Sequence, residues 1–258
     1  MDDKDRQFWD SYWVDQRSTL TARTMTQILD RIKLGYLRSI LPQTGRILEV
    51  GAGSGRLSCF LAIEGYQTAC LDYSMEALRA ARANYSAANV GGWFAVGDGL
   101  KLPVRDECFD VVLSTGLLEH FPDPAPIVFE MVRALKPGGL FYSDIVPRKF
   151  SLFRSLDWIG RMKRALTPGS IQPATFYERA FTSQEILDLL GNCGLANARV
   201  FPAGVVPPYI PLLYRSQRFR EAQVRLVERT QGLWKSCDGT FLAEWLGFYY
   251  FAWATKGT

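Results

Sequence analysis

The sequence predicts an open, doubly wound α/β fold, and three observations predict it. Apolar strand-like runs alternate with helix-compatible segments through the middle of the chain. A turn rich in glycine, Gly51-Ala52-Gly53-Ser54-Gly55, joins the first run to the first helix-compatible segment. Three successive runs end in an acid, at Glu49, Asp72 and Asp98. Alternating β and α elements imply a mainly parallel sheet with helices on both faces.

The elements follow in order. Residues 5–15 carry Phe8, Trp9, Tyr12 and Trp13, the spacing of one aromatic helix face. That face either docks on the body or closes over a ligand as a lid. Residues 20–40 read as a second amphipathic helix through Leu20, Ile28, Ile32, Leu37 and Ile40. The core then alternates: strand 46–50, helix 55–65, strand 67–72, helix 74–88, strand 92–97, strand 109–114, helix 124–136 and strand 139–145. A helix at 183–191 and a strand near 197–202 follow. The last strand, 248–254, is apolar throughout, as a buried strand should be. The result is a seven-stranded, Rossmann-like sheet in one domain spanning 1–258. Within it, 1–40 form an N-terminal helical lid and 45–146 a ligand-binding core. Segments 147–180 and 205–246 exceed what that core needs. Loops this long are usually functional or carry their own structure. Both leave the carboxyl edge or flank of the sheet, where ligands bind in such folds, so they read as a helical cap.

The glycine turn decides what kind of ligand. A Cβ there would block close approach or forbid a positive φ. The dinucleotide pattern needs a third glycine where Arg56 stands, and no phosphate-binding Gly-Lys-Ser or Gly-Lys-Thr follows. Glu49 at the mouth of the turn would repel a pyrophosphate. It suits a ligand with positive charge or several donors. S-adenosylmethionine (SAM) has a sulfonium, an ammonium and no phosphate. Asp72 lies about twenty residues past the first glycine, the usual place for a carboxylate that holds ribose hydroxyls. Asp98 could accept a hydrogen bond from an adenine amino group.

Composition bounds the alternatives. At 258 residues and 48% hydrophobic the chain can bury a sizeable core. The net charge of +4 is mild, so nucleic acid is not an expected partner. Five scattered cysteines, no CxxC and a single histidine argue against zinc, and no metal is expected. Unpatterned thiols suit a reducing cytoplasm, and the acidic start is no signal peptide. No apolar run is long enough to span a bilayer. The expected assembly is a monomer or homodimer.

From Gly97-Asp98-Gly99 the chain runs through Phe109-Asp110-Val111-Val112-Leu113-Ser114-Thr115-Gly116-Leu117-Leu118-Glu119-His120-Phe121. Later it reads Arg133-Ala134-Leu135-Lys136-Pro137-Gly138-Gly139. With the glycine turn, this series resembles the class I SAM-dependent methyltransferases, and is most similar to the small-molecule branch containing ubiquinone and menaquinone methyltransferases. The resemblance covers about 45–145 closely and extends more weakly to 181–190. It implies a methionine-side loop of Glu49, Gly51, Ala52, Gly53 and Gly55. It implies Asp72 on the ribose, Tyr73 beside the adenine, Asp98 and Gly99 at the adenine edge, and Thr115 and Gly116 under the sulfonium.

The expected reaction moves a methyl group from SAM to a small-molecule acceptor, leaving S-adenosylhomocysteine (SAH). The acceptor is aromatic, polyketide-like or sugar-bearing and is methylated on oxygen, in secondary or cell-envelope metabolism; the cap segments would choose it. In-line displacement rewards positioning, worth on the order of 7–11 kcal/mol. An oxygen acceptor must also lose a proton. His120, with an ordinary pKa near 6.5, is either the base or a packing residue, and Glu119 stands next in line on the same terms. Arg17 and Arg23 are further candidates for the cofactor carboxylate, against simple solvation.

Other classes stay open: a C- or N-methyltransferase of a quinone or lipid, an RNA methyltransferase, or a SAM-binding scaffold without turnover. Leu152, Leu156, Ile159, Met162 and Leu166 have helical spacing with arginines around them, so peripheral membrane contact stands beside simple cap packing. The basic helix Gln217–Trp234 reads the same two ways. Val206-Pro207-Pro208-Tyr209 resembles the Pro-Pro-Tyr of base amino-methyltransferases, but that motif belongs where Ser114-Thr115-Gly116-Leu117 stands.

Overall fold

A computed structural model gives the architecture and describes residues 3–15, 20, 24–148, 177–206 and 216–257. The helices are α1 (Asp3–Asp15), α2 (Met25–Arg38), α3 (Arg56–Ile63), α4 (Met75–Ala87), α5 (Ala125–Ala134), α6 (Ser183–Asn192), α7 (Gln217–Arg229), α8 (Gln231–Cys237) and α9 (Phe241–Leu246). The strands are β1 (Arg46–Val50), β2 (Gln67–Asp72), β3 (Trp93–Val96), β4 (Phe109–Thr115), β5 (Leu135–Ile145), β6 (Leu195–Ala203) and β7 (Tyr249–Lys256). A 3-10 turn, Leu118–His120, follows β4.

All seven strands join one sheet in the order β3-β2-β1-β4-β5-β7-β6. Strands β1 to β5 pair in parallel, and β7 runs antiparallel to both its neighbours. This is the doubly wound, mainly parallel sheet that the sequence implies. The winding reverses between β1 and β4, which makes the carboxyl ends of these strands the switch-point crevice where ligands bind.

Strand periodicity explains the layers, because successive side chains point to opposite faces. Ile47, Val111, Leu113 and Tyr142 pack with Leu34 and Leu37 of α2 and Leu57 and Leu61 of α3. Leu48, Val50, Val112 and Phe141 pack with Ile127 and Met131 of α5 and Ile186 and Leu190 of α6. Both faces are covered, so the central strands bury apolar side chains on both faces rather than on one.

Three boundaries differ most from the sequence expectation. The helix expected to reach residue 136 stops at Ala134, and β5 starts at once with Leu135. Pro137 disfavours helical backbone at the residue before it, which ends the helix early. The helix expected from residue 20 starts at Met25, where Thr24 caps it by accepting from the Gln27 N–H at 3.4 Å. The basic helix expected over Gln217–Trp234 breaks at Thr230, whose hydroxyl donates to the Leu226 carbonyl at 2.7 Å and accepts from the Trp234 indole at 2.7 Å. Capping of α6 is complete: Thr182 and Glu185 hold each other's backbone N–H groups.

The described part of 205–246 packs on α2, with Val206, Val224 and Val227 against Met25, Ile28 and Leu29. Most of the first expected cap segment (149–176), with its Leu152–Leu166 stretch, lies outside the described residues. So do Arg17, Arg23 and 207–215. Among the described residues no helix is long and apolar enough to cross a membrane.

Candidate functional site

A cavity of about 300 Å³ opens at the carboxyl ends of β1, β2 and β4. The glycine turn forms one wall. Gly51 (φ 68°) and Gly53 (φ 53°) line it in left-handed backbone, where an L side chain would be strained. Space is closed as well: a Cβ on Gly51 would sit 2.7 Å from Leu117, and one on Gly53 2.5 Å from the Trp13 ring.

Asp72 ends β2 and anchors this wall. Its Oδ2 accepts from the Gly53 N–H at 2.7 Å and its Oδ1 from the Ser74 N–H at 2.8 Å. Burial pushes its pKa up, opposed by backbone donors from Ser74, Gly53 and Tyr73. Each carboxylate oxygen keeps acceptor capacity for a further donor. Tyr73 lines the cavity beside it, with the Arg6 guanidinium 5.5 Å from its ring centre.

Glu49 is elsewhere. It is 1% exposed and lies behind the wall rather than on it. Its Oε2 accepts from the backbone N–H of Ser58 at 3.2 Å and from that residue's hydroxyl, and its Oε1 accepts from the Thr115 hydroxyl at 3.3 Å. The carboxyl therefore ties α3 to the end of β4. Burial pushes its pKa up to about 7, against the Ser58 donors and the Lys33 charge. Ala52 is buried and donates its N–H to the Leu71 carbonyl at 3.0 Å. Gly55 (φ 59°) starts α3 where a Cβ would meet Ala81 at 3.0 Å and the Cys70 sulfur at 3.2 Å, so it serves helix packing. Asp98 accepts from the Leu100 N–H at 2.9 Å and shapes the loop whose Gly97 and Gly99 line the cavity.

The opposite wall comes from β4 and its 3-10 turn: Thr115, Gly116, Leu117, Glu119, His120 and Phe121. Gly116 has a φ of 62°. Glu119 is 3% exposed, and its Oε2 has no hydrogen-bond partner among the described residues. Burial pushes its pKa up to about 8; its own backbone N–H opposes this, the Asp144 charge adds to it and the Lys33 charge opposes it. His120 is held by Nδ1, 3.0 Å from the Tyr177 carbonyl, and its ring meets the Trp9 edge with centres 5.1 Å apart. Burial lowers its pKa below the ordinary imidazole value, so the ring is neutral at physiological pH.

The third wall is α1. Trp9, Tyr12 and Trp13 line the cavity, and Asp10 accepts from the Ser74 hydroxyl at 2.5 Å. The aromatic face read from the sequence thus stands over the glycine turn. Of the other residues expected at the site, Gly51, Gly53, Asp72, Tyr73, Gly99, Thr115, Gly116, Glu119 and His120 converge on the cavity. Glu49, Ala52, Gly55 and Asp98 support it from behind. Sequence reasoning missed Leu117, Phe121, Ile127 and Glu178. Leu117 and Phe121, which directly follow the expected Gly116 and His120, had a signal close enough to find them.

Residues 48–143 match the family model of a methyltransferase domain. That span, the core of the sheet, is similar to a methyltransferase domain. A ubiquinone biosynthesis O-methyltransferase of Xylella fastidiosa (strain 9a5c) is 32% identical over 129 residues, 48% of this chain and 52% of that protein. One from Ralstonia nicotianae is 35% identical over 120 residues, 45% of this chain and 50% of that protein. The chain thus spans about half the length of the curated relatives it matches. Magnesium protoporphyrin IX methyltransferase from Synechocystis PCC 6803, solved with bound SAH, superposes with a TM-score of 0.61 at 13% identity, covering 98% of this chain and 99% of that one. The [4+2]-cyclase SpnF superposes at 0.60 and 16% identity, covering 97% and 93%. At these identities the structural matches establish the fold. The matched span lies within β1–β5, and α1 and α2 pack their side chains against it from outside.

Proposed function

We propose that the chain binds SAM in this cavity and moves its methyl group to the oxygen of a small-molecule acceptor. One observation carries the reading: the Asp72–glycine wall and the Thr115–His120 wall face each other across a single cavity at the switch point. The residues fit the ligand. Asp72 offers acceptor capacity for ribose hydroxyls, bare backbone at Gly51 and Gly53 admits the methionine end, and Gly99 leaves room under Ile127, whose Cδ1 a Cβ there would meet at 2.6 Å. The relatives' printed activity, O-methylation in ubiquinone biosynthesis, supports oxygen as the acceptor atom.

SAM supplies an electrophilic methyl on a sulfonium, and the chain supplies position and a proton acceptor. Holding the two reactants in line is the larger contribution. His120 is the base in this reading, since burial keeps its imidazole neutral and able to take the acceptor's proton. Glu119, protonated near neutrality, is a hydrogen-bond donor and shape element until the pH exceeds about 8. Helix α1 acts as the lid: its Trp13 ring lies on Gly53 and swings away as ligand enters. Glu178, from the segment expected to form the acceptor cap, lies on the cavity wall. Free cysteines support a cytoplasmic setting.

Calorimetry with SAH tests the cofactor half. Micromolar binding is expected, and no heat or thermal shift at millimolar SAH overturns the reading. Transfer of labelled methyl from SAM to a panel of phenols and catechols tests the rest. His120→Ala should lower that rate about 100-fold with SAH affinity kept, the range of general-base catalysis. An unchanged rate would leave His120 a packing residue. Flotation with liposomes separates a lipid acceptor, which needs binding, from a soluble one, which does not.

A further inference from the structure

Beneath the cavity floor lies a buried ion pair whose cation comes from outside the methyltransferase span. Lys33, on α2, puts its Nζ 2.9 Å from Oδ2 of Asp144, near the end of β5. The two side chains are 9% and 0% exposed. The other oxygen of Asp144, Oδ1, accepts from the Gly116 N–H at 2.9 Å. Among the described residues that N–H otherwise meets only the Asp144 carbonyl, at 3.4 Å. Gly116 is the left-handed residue at which the chain leaves β4 and turns toward Glu119 and His120.

Every neighbouring element faces this pair with a titratable group. Tyr249 of β7 has its ring centre 4.3 Å from Nζ. Asp30 of α2 is itself held by Arg56 of α3 at 2.6 Å. Glu49 of β1, Glu119 of the 3-10 turn and Tyr142 of β5 complete the set. Stability does not account for a pair placed so deep, because apolar side chains of similar size usually serve as well or better. The pair does something apolar atoms cannot: it presents a charged acceptor to an N–H at a left-handed turn, and charge-assisted hydrogen bonds are about twice as strong as neutral ones.

We propose that Lys33 is a positioning residue: through Asp144 it fixes the Gly116 turn, and with it the places of Thr115, Glu119 and His120 on the cavity wall. Its consequence for ligand rests on the methyl-transfer reading, but the turn is measurable without ligand. Lys33→Met combined with Asp144→Leu keeps the buried volume and removes both charges, a change that folds commonly tolerate. Hydrogen exchange at the Gly116 amide should then speed up about tenfold or more, with SAH affinity falling by a similar factor. Lys33→Met alone is the second arm. Asp144 then loses its cation, which raises its proton affinity further, so Gly116 protection should depend on pH more steeply than in the wild type. A folded double variant with wild-type protection at Gly116 overturns the proposal, and so does a flat profile in Lys33→Met. If the wild type binds no SAH while both variants loosen Gly116, the positioning role stands and the methyl-transfer reading falls.

Discussion

The two walls of the cavity are held by different means. On the β1–β2 side a carboxylate grips backbone: Asp72 takes the N–H groups of Gly53 and Ser74, 19 and 2 residues away. On the β4 side the backbone is gripped from beneath by Asp144, which in turn depends on Lys33, a residue of a helix that precedes the whole sheet. The first wall needs only its own β-α-β unit to form. The second exists only when α2 has docked on the finished sheet. The first wall is therefore set within one local unit, whereas the second depends on a helix outside the matched span.

Asp72→Ala should break the first wall with the largest effect. It removes the proposed ribose acceptor and leaves two N–H groups without their partner, each costing about 1–3 kcal/mol where buried. SAH affinity should fall at least about 100-fold by calorimetry. A loss under about threefold would mean that this wall does not hold the nucleoside.

Gly53→Ala comes next. The left-handed φ costs about 1–2 kcal/mol for an L residue, and the new methyl meets Trp13. SAH affinity should drop about tenfold. Adding Trp13→Ala should restore part of the melting temperature, namely the steric share. Full restoration would show that backbone strain at Gly53 is negligible.

The second wall is sharpened by pH. Glu49 and Glu119 have folded-state pKa values raised to about 7 and about 8. The folded state thus binds their protons more tightly than the unfolded chain does. Their stabilisation is complete below the ordinary carboxylate range and is lost as pH rises through these values. The melting temperature should fall between about pH 5 and about pH 9. Glu119→Gln should flatten the upper part of that fall. A melting temperature that rises over this range would contradict the burial of both carboxyls.

The smallest effect belongs to Trp9→Ala. Its edge contact with His120 is worth about 1 kcal/mol. Removing it should raise the imidazole pKa toward the ordinary value by admitting water, read directly by NMR titration of the only histidine in the chain. No movement would mean that the Tyr177 side of the ring, not α1, sets its environment.

Legibility followed the range of the interactions. The glycine turn, the acid ends of β1 and β2, and the alternation of the core were all readable, because each is set by neighbours within one β-α-β unit. Positions were read better than directions. Glu49 is the acid at the end of β1, as its place in the motif says, yet its side chain turns back to Ser58 and Thr115. Gly55 likewise serves the contact of α3 with Ala81 and Cys70 rather than the cavity.

The sequence by itself determined the sheet, its winding and the location of the crevice, since hydrophobic period, glycine placement and turn chemistry act over a few residues. Only the tertiary structure decided which acids face the crevice, that Trp13 covers Gly53, and that Lys33 reaches Asp144 under the floor. Those outcomes depend on how α1 and α2 dock against a sheet assembled from distant strands. Burial then shifts Glu49, Glu119 and His120 away from their ordinary proton affinities, which no spacing in the chain encodes.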